Sequence, residues 1–242
     1  MKNKTILVTG GTAGIGYQVA SELKALGANV LITGRNNTKL DNVSNELGVS
    51  AYHCDSGKSE DIQALAETLK KQDVTLDGLV LNAGVFFPKP MGEVDVDDFN
   101  HTFAINTFGP YLTLQALLPL MKNPSSVVFV SSVVVEKAFP GTAVYTASKA
   151  ALEGMAGILN LELAPRGIRV NSVRPGVTLT EIQSKAGLSE DQIDALAKDM
   201  ETTPIGRALK AGDISGSVAF LLSDASLAMR NAALTVDGGV RL

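Results

Sequence analysis

Short apolar, β-branched runs alternate with helical periodicity along nearly all of this 242-residue chain, and no other feature limits its fold so tightly. Strands are predicted over residues 5–9, 29–33, 50–54, 78–81, 126–130, 168–173 and 234–236. Helices are predicted over 15–26, 39–47, 61–71, 96–121, 145–164 and 213–222. Strands that are apolar at every residue are buried on both faces, which calls for a parallel sheet with helices on each side. Right-handed crossovers then give a doubly wound, Rossmann-type α/β sheet of about seven strands. The length suits a single domain over 1–242. Two stretches are irregular. Pro110 lies inside the long helix at 96–121, where it removes a donor and predicts a kink. A polar, helix-prone insert at about 178–203 follows the sixth strand, at the sheet edge where ligands bind, and is expected to form a substrate lid.

The first strand runs into Thr9-Gly10-Gly11-Thr12-Ala13-Gly14-Ile15-Gly16. The spacing differs from the common Gly-x-Gly-x-x-Gly fingerprint, but the physics is the same. The turn is tight, the backbone can approach a pyrophosphate closely, and a helix N-terminus points at the anion. At the end of the second strand an NAD site usually carries an acid that holds the ribose 2′-hydroxyl. Here Gly34 stands in that place, followed by Arg35. A neutral residue beside an arginine suits a 2′-phosphate, so NADP(H) is expected rather than NAD(H).

Tyr145 and Lys149 are four apart on one predicted helix, with Ser132 thirteen residues upstream of the tyrosine. Residues at i and i+4 share a helix face. A free phenol titrates near ~10, and a neighbouring ammonium lowers that value. A drop of roughly 2–3 pH units needs about 3–4 kcal/mol of differential interaction. Such a pair, with a serine hydroxyl beside it, suits proton transfer to or from an oxygen. Taken alone, the pair fits an ordinary surface helix equally well.

The net charge is −4 and no Lys/Arg cluster stands out, which argues against nucleic acid or an anionic membrane as partners. The single Cys54 excludes an intrachain disulfide and fits a reducing, cytoplasmic setting, and its apolar neighbours predict a buried thiol. His53 and His101 lack ligand-spaced partners, so no metal site is expected.

These motifs, in this order and spacing, resemble the short-chain dehydrogenase/reductase family from end to end. The turn at 9–16 resembles its cofactor turn, and Asn82-Ala83-Gly84 resembles the motif closing its fourth strand. Asn106, Ser132, Tyr145 and Lys149 match its catalytic group. The segment from Asn171 to Thr180 resembles the one that embraces the nicotinamide, and Phe220–Asp224 and Val236–Gly239 resemble its C-terminal signatures.

The resemblance implies that Tyr145 is the proton donor to a carbonyl and the base toward an alcohol. Lys149 would lower the phenol's pKa and bind the nicotinamide ribose, and Ser132 would hold the substrate oxygen. Asn106 would hold main chain and a water linking Lys149 to solvent. Around the cofactor it implies Gly10, Thr12, Gly14, Ile15 and Gly16 at the phosphates, Arg35 at the 2′-phosphate and Asp55 at the adenine. Asn82, Ala83 and Gly84 would lie along the adenosine ribose, and Pro175, Gly176, Val177 and Thr180 at the nicotinamide end. Two positions depart from the pattern. Ala13 replaces a residue that is often basic in NADP-dependent members. Ala228-Met229-Arg230-Asn231 replaces the usual turn before the last strand, so the assembly stays open between homodimer and homotetramer.

Phe86, Phe87, Val133, Val134, Phe139 and the insert after Val177 are expected on the substrate side, which suggests a largely apolar carbonyl or alcohol. Two other readings remain. A 3-oxoacyl thioester reductase would want a basic rim, for which Lys137, Arg166 and Arg174 are the candidates. A non-catalytic dinucleotide-binding sensor would not need Ser132, Tyr145, Lys149 and Asn106 together.

Overall fold

A computed structural model describes all residues from 1 to 242. The elements, in chain order, are β1 (Thr5–Val8), α1 (Gly14–Ala25), β2 (Asn29–Gly34), α2 (Asn37–Leu47), β3 (Ser50–His53), α3 (Ser59–Lys71) and β4 (Leu76–Leu81). There follow α4 (Val96–Phe103), a π-helical turn at Ala104–Phe108, α5 (Gly109–Leu117), β5 (Met121–Val130), α6 (Ala143–Glu162) and β6 (Ile168–Pro175). The chain closes with α7 (Glu181–Lys185), α8 (Glu190–Asp199), α9 (Ala211–Leu222) and β7 (Ala233–Val236).

All seven strands pair in parallel in the order β3-β2-β1-β4-β5-β6-β7. This is the expected Rossmann-type sheet, and alternation along each strand divides its side chains between two cores. Ile6 and Val8, Val30 and Ile32, and Val128 and Val130 join α1, α2 and α9 on one face. Leu7, Leu31, Val127 and Phe129 join α3, α5 and α6 on the other. The two clusters hold 21 and 20 buried residues, so neither face is left to solvent. The sequence order reverses between β1 and β4. Loops leaving these neighbours diverge there and open a crevice at the carboxyl edge.

The single helix expected over 96–121 is three pieces instead. The ladder widens at Ala104–Phe108, where the Gly109 amide reaches back five residues to Ala104 O. Met121 already belongs to β5, which starts five residues before the predicted 126 because its first half is polar and exposed. The insert at 178–203 forms α7, α8 and a 3₁₀ turn at Met200–Thr202 over the carboxyl edge. No helix is long and apolar enough to cross a membrane.

Candidate active site

One cleft of about 820 Å³ runs along the carboxyl edge of the sheet. Its first wall is the turn after β1. Gly10 and Gly14 both hold positive φ, +64° and +53°, which favours glycine. A Cβ on Gly14 would come within 3.1 Å of Thr180, so the glycine turn and the insert nearly touch. Ala13 gives α1 no side-chain cap and its first turn holds no acid, which leaves that helix N-terminus open toward an anion. These features fit a dinucleotide pyrophosphate. Thr12 and Ile15 line the same wall, whereas Gly16 lies behind it. A Cβ there would meet Gly10 O at 2.3 Å and Asn82 Nδ2 at 2.4 Å, so Gly16 permits packing under the turn and does not face the cleft.

The switch point is stitched by Thr9 and Asn82. Thr9 Oγ1 accepts from the amides of Asn82 and Ala83 at 3.0 Å each, and Asn82 Nδ2 donates to Thr9 O at 2.9 Å. The Asn82 amide is thus committed to protein, while the Asn82-Ala83-Gly84 segment still lines the cleft. At the end of β2, a Cβ on Gly34 would sit 2.9 Å from Thr12 Cγ2, so a side chain there would require Thr12 to give way. Arg35 stands exposed beside it, 3.9 Å from the Asp55 carboxylate, and both line the cleft. Asp55 Oδ1 accepts from the Gly57 amide at 3.0 Å, which orders the loop after β3.

The far end of the cleft holds Ser132, Tyr145 and Lys149. α6 carries the last two, and the π turn fixes that helix. Asn106, fully buried, accepts from Val85 N at 2.8 Å and donates to Val85 O at 2.9 Å and to Ser148 Oγ at 3.1 Å. Thr107 Oγ1 donates to Ser148 O at 3.0 Å, and Ser148 Oγ donates to Tyr145 O at 2.7 Å. Asn106 therefore ties the loop after β4 to the turn between Tyr145 and Lys149, without facing the cleft itself. π distortions are frequent at functional sites for this reason, since they turn one side chain out of register.

The protonation states differ from the sequence expectation. Burial pushes the Tyr145 phenol up to about 12, against a smaller opposing contact from the Ser132 hydroxyl. Burial also pushes Lys149 down to about 8, with the Glu153 carboxylate opposing it. The ammonium donates to Val130 O at 2.8 Å and lies 5.8 Å from the Tyr145 ring centroid, so it is not aimed at the phenol. Desolvation, opposed only by the Ser132 hydroxyl, sets the Tyr145 phenol in the free protein. Ser132, not Ser131, faces Tyr145, and it also accepts from Val134 N at 3.4 Å.

This geometry agrees with comparisons to known proteins. A family model described as enoyl-(acyl carrier protein) reductase matches residues 10–241. An uncharacterized oxidoreductase of Methylorubrum extorquens is 34% identical over 251 residues, covering 100% of this chain and 99% of that protein. Human dehydrogenase/reductase SDR family member 4 is 34% identical, covering 99% of this chain and 88% of that one. A 3-oxoacyl-[acyl-carrier-protein] reductase of Rickettsia felis is 33% identical, with 99% and 98% covered.

The chain belongs to the short-chain dehydrogenase/reductase family. It is an oxidoreductase of that family, whose members use nicotinamide dinucleotides. Among solved structures, a Serratia marcescens short-chain dehydrogenase/reductase superposes with a TM-score of 0.90 at 29% identity, covering 100% of this chain and 99% of that one. A blue fluorescent protein from a metagenomic library, in complex with NADPH, gives a TM-score of 0.88 at 31% identity, with 98% of each chain covered.

Within this family frame, several cleft residues escaped sequence reasoning. His101 on α4 lines the substrate end against Phe87, with ring centroids 5.7 Å apart. Of the residues that were expected in the cleft, Leu188 and Leu196 reach it from the insert, and Phe86 packs edge-on against Tyr145 at 5.0 Å. Cys54 also lines the cleft, but burial, with Asp61 and Asp55 adding to it, pushes its thiol up to about 12, which leaves no nucleophilic thiolate at neutral pH.

Proposed function

We propose that the protein is an NADP(H)-dependent oxidoreductase that interconverts a carbonyl compound and its alcohol, with Tyr145 as acid and base. The observation that carries this reading is the juxtaposition in one cleft of a neutral Tyr145 phenol facing Ser132, and an arginine with no carboxylate at the end of β2. When bound, the nicotinamide supplies or accepts the hydride. Ser132 holds the carbonyl oxygen by a hydrogen bond. Tyr145, protonated throughout the neutral range, gives that oxygen its proton, and in reverse its phenolate takes one from the alcohol. Lys149, largely cationic near neutrality, stabilises the phenolate as it forms and holds the nicotinamide ribose. Asn106 keeps the Tyr145–Lys149 turn in place through Ser148.

Gly10, Thr12, Gly14 and Ile15 take the pyrophosphate, Arg35 the 2′-phosphate and Asp55 the adenine. Asn82, Ala83 and Gly84 flank the adenosine ribose, while Pro175, Gly176, Val177 and Thr180 take the nicotinamide end. The NADPH bound by the metagenomic relative supports this choice of cofactor. Phe86, Phe87, Val134, Phe139, Leu188 and Leu196 make the substrate end mostly apolar, so the favoured substrate is a largely apolar carbonyl. A cytoplasmic setting rests on the lone, buried Cys54. A homodimer or homotetramer is supported by the exposed Phe108, Tyr111, Ile158 and Leu161 on α5, α6 and the π turn.

The second reading, a 3-oxoacyl thioester reductase, is favoured by the Rickettsia felis relative. Against it, none of the three basic candidates is free for an acidic carrier. Arg174 is held by Glu153 and Glu136, Lys137 donates to Val240 O, and Arg166 donates to Leu118 O and Met121 O away from the cleft. The test is oxidation of NADPH and NADH at 340 nm over aryl ketones, diketones, quinones and acetoacetyl thioesters, with Tyr145→Phe beside the wild type. Turnover with NADPH on ketones that disappears in Tyr145→Phe is the expected result. Turnover on thioesters alone would select the second reading. Cofactor binding without turnover on any substrate would favour the non-catalytic sensor.

A further inference from the structure

An ion pair crosses the mouth of the cleft, between the wall that carries Arg35 and the insert. The Asn36 side chain caps α2 by accepting from Lys39 N at 2.9 Å, which sets Lys39 in the first helical turn after Arg35. Its ammonium donates to Glu181 Oε2 at 2.7 Å, although Glu181 lies 142 residues further along the chain, at the start of α7. Lys185 contacts the same oxygen at 2.9 Å. Two ammonium groups therefore share one carboxylate, and Arg35 adds a third cation on the Lys39 side, only loosely paired at 3.9 Å. Glu181 and Lys185 line the same cleft as Arg35. The charge here is unbalanced toward the positive, and nothing in the oxidoreductase chemistry at Tyr145 accounts for it.

We propose that Lys39 is a second cation for the 2′-phosphate of NADP(H), and that Glu181 occupies it until the phosphate arrives. The inference rests on the NADP(H) reading above. On binding, Lys39 leaves Glu181 for the phosphate and Lys185 keeps the carboxylate paired. The exchange is favourable because Lys39 and Glu181 are 43% and 48% exposed, and exposed pairs hold weakly. A phosphate offers about −1.5 to −2 charges and three acceptor oxygens in place of one half-exposed carboxylate. Lysine's flexible stem suits a change of partner better than a planar guanidinium does. Because Glu181 begins α7 within the insert, a 2′-phosphate also loosens the link between insert and α2, which NAD(H) leaves closed.

The test is calorimetric titration with adenosine 2′,5′-bisphosphate and with adenosine 5′-monophosphate, which differ only in the 2′-phosphate. Wild type should prefer the bisphosphate. Lys39→Gln should weaken the bisphosphate about tenfold and leave the monophosphate within about twofold. Glu181→Gln, by freeing Lys39, should tighten the bisphosphate about two- to fivefold with no gain for the monophosphate. Equal weakening of both ligands by Lys39→Gln would make the pair a plain strap and overturn the inference. So would a bisphosphate affinity that falls in Glu181→Gln. A wild-type preference lost in Arg35→Gln but untouched in Lys39→Gln sinks the inference alone. A wild type that does not distinguish the two ligands removes the NADP(H) reading and the inference with it.

Discussion

Replacing Lys149 by methionine should stabilise the protein while abolishing turnover. Lys149 is 4% exposed, and burial takes its pKa from the ordinary 10.5 to about 8. At about 1.4 kcal/mol per pH unit, that drop corresponds to ~3 kcal/mol of penalty for keeping the ammonium folded at neutral pH. Methionine fills a similar volume without charge, but it forfeits the charged hydrogen bond to Val130 O, worth roughly 1.5–3 kcal/mol. The net gain is ~0–1.5 kcal/mol, or up to about 3–6 °C in Tm for a domain of this size. Its pH dependence has a definite sign. Below about 8 the lysine is charged in both folded and unfolded chains, and the full penalty applies. Between about 8 and 10.5 the folded chain has released its proton while the unfolded chain still binds one, so wild-type stability rises relative to the variant. Thermal melts of both proteins at pH 7 and pH 9.5 measure this directly. A variant less stable than wild type at pH 7, or an advantage that does not shrink by pH 9.5, would refute the burial argument.

Asn106→Ala removes two hydrogen bonds to Val85 and one to Ser148, all from a fully buried side chain, and should cost ~3 kcal/mol, visible as a drop of roughly 6–12 °C in Tm. Gly16→Ala puts a methyl 2.3 Å from Gly10 O, so the turn must shift; far-UV circular dichroism should stay native while cofactor affinity falls more than about tenfold by fluorescence titration. Tyr145→Phe should retain NADPH binding and lose turnover.

The alternation of elements was legible because strands buried on both faces are apolar at every position, as in Leu7-Val8 and Val127-Val128-Phe129. The same rule hid the start of β5, where Lys122, Asn123 and Pro124 are exposed and bulge out of the ladder between the Leu76–Met121 and Gly78–Ser126 pairs. The cofactor wall was legible for a different reason. It is built from backbone, and backbone needs are written in glycines and in the missing acid at Gly34. The far end of the cleft is built from side chains on separate elements, and His101 was missed there because no periodicity joins residues that far apart. The Tyr145–Lys149 pair shows the same limit. Spacing of four shows that Lys149 is near, but only the fold shows that its ammonium turns to Val130 O.

Pro110 illustrates how a local signal can be right in kind and wrong in place. A kink was expected at the proline, yet the distortion lies at Ala104–Phe108, one turn earlier. The reason is where proline acts: it deprives the carbonyl four residues back, which is that of Asn106, of its helical donor. Gly109 completes the device. A Cβ there would strike Ser56 O at 2.1 Å, so only glycine lets the helix pass the loop that follows β3. With the ladder opened at this point, Asn106 can turn its amide away from α5 and toward Val85 and Ser148. The Gly109-Pro110 pair is thus the sequence's instruction for holding Tyr145 and Lys149, even though neither residue comes near the reacting atoms. Restoring a regular helix by Pro110→Ala should therefore lower turnover more than it lowers stability, and equal losses in both would count against that assignment.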